Sequence, residues 1–91
     1  MGNNLVNAIV LINVEIGYEG EVLKAIRKVE GVKEALAVYG NYDIVAKVEA
    51  ESIEKLNQII TGKIRKLDNV KSTQTMIVVD ERSLGLEWIR T

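Results

Sequence analysis

Two short stretches hold the residues whose types and spacing could do chemistry. Gly40-Asn41-Tyr42-Asp43 brings a free backbone, an amide, a phenol and a carboxylate together within one turn. Thr73 and Thr75 lie two apart, which on a strand puts both hydroxyls on the same face. Asp43, at the base of the turn, has two readings. A carboxylate there commonly caps backbone N–H groups. It is also a good acceptor for a ligand ammonium, with nearby backbone binding the ligand carboxylate. Thr73 and Thr75 likewise fit a structural role, because Thr is a good strand former.

Nothing else in the chain offers reactivity. It has 91 residues with no Cys and no His, which removes disulfides, thiolate ligands and the commonest general base. No glycine-rich phosphate loop, catalytic carboxylate pair or nucleophile–base pair is visible. No enzyme, metal or cofactor is therefore expected. Lys63, Arg65, Lys66 and Lys71 cluster near a helix C-terminus, where cations are favoured, and read as solvated surface. With 12 basic and 13 acidic residues the net charge is -1, so the chain lacks the positive surplus of a nucleic-acid grip. Tyr18, Tyr39 and Tyr42 are too scattered to form a base-stacking platform.

The elements that must position these residues are announced by an internal repeat. Ile26-Arg27-Lys28-Val29-Glu30-Gly31-Val32-Lys33 is echoed by Ile64-Arg65-Lys66-Leu67-Asp68-Asn69-Val70-Lys71. Each copy reads as a last helical turn, a residue tolerant of left-handed backbone, then a strand start. One strand-helix-strand unit is thus built twice. Ala8 to Ile16 alternates as a first strand, with Ile9 and Leu11 making its second face apolar as well. Val22, Leu23, Ile26 and Val29 mark a first helix. A second strand is expected over Val32 to Tyr39, with Val32, Leu36 and Val38 on one side. Gly40-Asn41 is the signal of a two-residue hairpin, and a third strand runs from Tyr42 to Glu49. Ser52 caps a second helix carrying Ile53, Leu56, Ile59, Ile60, Ile64 and Leu67, weakened at Gly62. The fourth strand spans Val70 to Val79.

The order β-α-β-β-α-β defines an α+β, ferredoxin-like sandwich: a four-stranded antiparallel sheet with two helices on one face. Ile9, Leu11, Val45, Met76 and Val78 fall out of phase with the helix-facing positions. They give the opposite face an apolar patch that a monomer would seldom leave open. A second copy in a two-fold dimer is the simplest cover, and a folded-back C-terminal tail is the alternative. Residues 1–7 read as a leader, 8–80 as the domain and 81–91 as a tail, whose Leu84, Leu86 and Trp88 could pack on a neighbouring subunit. Many Ile, Val, Glu and Lys with no Pro lean toward a thermophile-like composition. The apolar run Leu5 to Val14 is too short for a membrane span, so a cytoplasmic protein is expected.

Three runs carry a family resemblance: Gly31 to Ala35, Tyr39 to Ala50, and Val70 to Thr75. Together they resemble the effector domain of the Lrp/AsnC transcription factors, called RAM, over roughly Ala8 to Val79. The resemblance implies the same ferredoxin-like fold, a dimeric α/β barrel-like assembly of sheets that builds rings, and free amino acids bound between dimers. It maps an amino-acid site onto Gly40, Tyr42, Asp43, Thr73 and Thr75. Only a few residues precede the first strand, where the family's regulators carry a helix-turn-helix domain. The expectation is therefore a stand-alone module that binds no DNA itself and modulates transcription by co-assembly with full-length regulators. Two other classes stay open: a small enzyme of the dimeric α+β barrel type, and a purely structural assembly subunit.

Overall fold

The computed structural model describes residues 5–79. Its elements run β1 (Val6–Val14), α1 (Glu19–Arg27), β2 (Val32–Ala37), β3 (Ile44–Ala50), α2 (Ile53–Ile59) and β4 (Val70–Ile77), with a π-helical turn (Ile60–Ile64) extending α2. The sheet order is β2-β3-β1-β4, and every neighbouring pair is antiparallel. The third strand fills the gap left by the first crossover, as the chain order requires.

The repeated corner is built twice with the same bonds. Gly31 has φ +100° and Asn69 φ +72°, both left-handed. Val29 N–H donates to the Ile26 carbonyl (3.0 Å), and Leu67 N–H to the Ile64 carbonyl (3.1 Å). The carbonyl of Gly31 accepts from Glu49 N–H at 2.8 Å, and that of Asn69 from Glu15 N–H at 2.9 Å. Crowding differs between the two. A Cβ at Gly31 would stand 2.6 Å from Cδ1 of Ile59 and 3.2 Å from the Glu49 carbonyl oxygen, so any side chain there meets both a strained φ and an Ile59 tip that has to move.

The core lies between the helices and one sheet face. Val10, Ile12, Ile44 and Val48 meet Ile26, Leu56 and Ile64, all fully buried. Ser52 caps α2 as expected, its hydroxyl accepting Lys55 N–H at 3.1 Å. Arg27 reaches the exposed edge of β2 and donates from Nε (3.1 Å) and Nη2 (2.8 Å) to the Ala35 carbonyl. That contact ties α1 to the strand and occupies an edge acceptor otherwise open to another chain.

Several expected boundaries shift. The first strand starts at Val6 and stops at Val14, and Ile16 is 91% exposed. Alternation continued past the point where both partner strands give out, Ile44 pairing with Ile12 and Val70 with Val14. Val32, Leu36 and Val38 do not share a side. A bulge inserts Lys33 between the pairs Val32–Val48 and Glu34–Lys47, so Leu36 pairs with Val45 on the bare face. The second helix is not uniformly α: Arg65 N–H bonds the Ile60 carbonyl at 2.9 Å, five residues back. Positions four apart on an α-helix drift by about 40°. The wider π turn cancels that drift and keeps Leu56, Ile60 and Ile64 on one buried line. Ile53 stands about 60° off that line and is 55% exposed, outside the core. The tail residues Leu84, Leu86 and Trp88 lie outside the described residues.

Candidate functional site

The turn carrying Gly40 is wider than a two-residue hairpin. It is closed by Val38 N–H donating to the Asp43 carbonyl at 2.9 Å, leaving Tyr39 to Tyr42 in the loop. Gly40 has φ +144°, away from the roughly +60° that a glycine-first two-residue turn needs. The third strand accordingly begins at Ile44 rather than Tyr42.

Asp43 holds this end of the sheet together. Its N–H donates to the Ile12 carbonyl at 3.0 Å. Its carboxylate Oδ2 accepts Val14 N–H at 2.8 Å, taking the place of a strand carbonyl where β3 has ended. The capping reading of Asp43 therefore holds. It does not use up the group: Oδ1 has no protein partner among the described residues, and a carboxylate has about four acceptor positions.

Tyr42 points its chemistry elsewhere. Its hydroxyl donates to Oε1 of Gln74 at 2.7 Å, crossing from the loop to β4. Gln74 pairs with Leu11, so this bond lies on the face without helices. Thr73 and Thr75 pair with Ile12 and Val10, which places both hydroxyls on the helix-covered side, at the free edge of β4. Thr73 is half-buried and Thr75 exposed. Gly40, Tyr42, Asp43 and Thr73 thus lie toward one end of the sheet, Thr75 stands at its middle opposite Val10, and the five split across its two faces. Two clefts open elsewhere on the described residues, and none of the five lines either of them.

The same split governs the candidate interface. Ile9, Leu11 and Val45 are half-buried, Met76 is 45% and Val78 39% exposed, and all lie on the bare face. Register joins Leu36, Val45, Leu11 and Gln74 in one row, and Glu34, Lys47, Ile9 and Met76 in the next. Gln74 and Leu36 belong to this surface although pattern alone did not place them. The signal for Gln74 was its position between two threonines of opposite phase; that for Leu36 was hidden by the bulge. Among the described residues, no group of His, Cys, Asp and Glu could hold a metal ion, and no helix is long and apolar enough to cross a membrane.

Two helices on one face of a four-stranded antiparallel sheet, with an apolar opposite face that no described element covers, define a ferredoxin-like α+β domain. Its family follows from comparison with known proteins. The model of the Lrp/AsnC ligand binding domain matches residues 7–84, and the chain belongs to that family. FFRP-DM1 has the same fold with TM-score 0.78 and 42% identity, over 81% of this chain and 99% of that one. AsnC of E. coli matches with TM-score 0.78 and 29% identity over 82% of this chain and 51% of its own. The feast or famine regulatory protein of M. tuberculosis in complex with L-methionine shares the fold at 22% identity and TM-score 0.70, over 82% of this chain and 50% of that one. The homocitrate synthase of Sulfolobus acidocaldarius is 44% identical over 62 residues, 68% of this chain. The chain spans only 13% of the length of that synthase.

Proposed function

We propose that this chain is a non-enzymatic effector module that binds a free amino acid at a contact between assembled copies. Copies first meet through the bare face, with Ile9, Leu11, Val45, Met76 and Val78 at its centre. Dimers then associate so that Gly40, Tyr42 and Asp43 of one come near Thr73 and Thr75 of another. One observation carries this reading: the polar candidates are split across the two faces of the sheet and neither described cleft gathers them, which suits a site that a second chain completes. The free Oδ1 of Asp43 suits an ammonium, and backbone N–H at Gly40 with a Thr hydroxyl suits a carboxylate. Membership of a ligand-binding family supports the same assignment, and the L-methionine complex of a protein with this fold supports its ligand class. Ligand binding would favour whichever assembly state completes the site, since a ligand shifts an equilibrium only by its differential affinity.

The module acts on transcription by co-assembly with full-length regulators rather than through DNA contacts of its own. The balanced charge supports this. A second reading is favoured by the match to homocitrate synthase: the same module regulating an amino-acid biosynthetic enzyme. Thermal-shift and light-scattering measurements against the twenty amino acids test the common core. Binding should raise the melting temperature and change assembly size, and Asp43→Ala should abolish both. If no amino acid does either, effector sensing is wrong. Affinity capture separates the readings, by recovering a helix-turn-helix regulator or a biosynthetic synthase.

A further inference from the structure

The opposite end of the sheet carries a second concentration of charge that the hairpin site does not use. β3 runs from Ile44, beside the hairpin, to Ala50, about 20 Å away at 3.3 Å per residue. There a cleft of about 480 Å³ opens between α2 and the ends of β1, β2 and β3. Its apolar lining includes Leu5, Ala50 and Ile59. Lys33 and Lys63 line it from two sides, together with Glu30 and Glu49.

Both lysines arrive through irregularities. Lys33 is the extra residue of the β2 bulge, which re-aims a side chain that regular pairing would fix. Lys63 belongs to the π turn, which keeps it in line with Lys55 and Ile59 instead of letting it drift around the helix. Bulges and π turns are over-represented at functional sites. Here two of them, on separate elements, bring cations to one cleft. Lys55 is already paired with Glu51 at 3.4 Å, the one ion pair among the described residues. Lys33, Lys63, Glu30 and Glu49 are left without an ionic partner among those residues.

We propose that this cleft, lined by residues of a single chain, is a second ligand site for a small dipolar molecule of the α-amino-acid class. Lys33 and Lys63 take the carboxylate, Glu30 and Glu49 the ammonium, and Ile59 with Ala50 and Leu5 the side chain. The equal numbers of lysine and glutamate select a dipolar ligand over a multiply charged anion. Because Ile59 also abuts Gly31, a ligand here would press on the contact between α2 and the first corner. The proposal goes beyond the hairpin site and does not depend on it.

The test is a titration of isotopically labelled full chain with each of the twenty amino acids, and separately with inorganic phosphate, followed by amide chemical shifts. At least one amino acid should move the amides of Gly31, Ile59 and Lys63. Those shifts should persist in Asp43→Ala, and the affinity should fall about tenfold or more in Lys33→Ala/Lys63→Ala, as expected for two lost charged contacts. Silence at those amides, unchanged affinity in the double variant, or phosphate binding as tightly as any amino acid would each overturn it. So would loss of the shifts in Asp43→Ala, which would place the ligand at the hairpin. Failure of the hairpin reading alone leaves the cleft shifts in place, so the two sites fail separately.

Discussion

Along β1, Ala8, Val10, Ile12 and Val14 are sealed beneath two helices, while Asn7, Ile9, Leu11 and Asn13 on the same strand face no other element of the described chain. The two sets are interleaved residue by residue, yet their chemistry differs. The buried part of the covered face is all aliphatic, with no buried polar or charged residue among the described residues, and Thr73 and Thr75 lie outside it at the β4 edge. The bare face has an apolar centre flanked by amides at Asn7, Asn13 and Gln74 and by the facing charges of Glu34 and Lys47. An apolar centre within a polar rim is the make-up of a protein–protein interface rather than of a domain core. The Oδ1 of Asn7, at the rim of this face, is buried with no hydrogen-bond partner among the described residues. One face holds the core, and the other has the composition of an interface.

That division can be broken by substituting adjacent residues. Val10→Lys should have the largest effect, because an unpaired charge in a fully buried site costs several kcal/mol against a total stability of about 5–15 kcal/mol. Circular dichroism should show loss of cooperative unfolding. Leu11→Lys, one residue along, should keep the folded spectrum but weaken self-association about 100-fold or more, read by sedimentation. If both variants unfold, or neither changes assembly, the two faces do not divide the work as described.

The repeated corners sharpen the comparison on the helix side. Gly31→Ala must strain a left-handed φ and displace Ile59, so it should cost about 1–3 kcal/mol by chemical denaturation. Asn69→Gly relieves the equivalent φ and should change stability by no more than about 0.5 kcal/mol. Equal effects at both positions would mean that Ile59 is not what demands glycine at Gly31.

These corners were legible because few residues tolerate positive φ, so Gly31 and Asn69 reveal a backbone requirement directly. The open face was legible for a similar reason: a period of two divides any strand into two sets. Features set by partners were not. The bulge at Lys33 depends on how β2 pairs with β3, and it sent Leu36 to the face opposite Val32. The π turn depends on helix packing, and Gly62 announced only a weak helix. Ile16 kept the alternation going after the neighbouring strands had ended. At the candidate site, Asp43 was readable as a turn carboxylate, and Val14 N–H shows its structural duty. The separation of Tyr42 from Thr73 and Thr75 across two faces follows only from register.

Sedimentation velocity of the full chain at micromolar concentration tests the central claim most directly. Closure of the bare face by a second copy predicts a dimer or a multiple of dimers, reduced to single subunits by Leu11→Lys. A cooperatively folded wild-type chain that sediments as one subunit would contradict it.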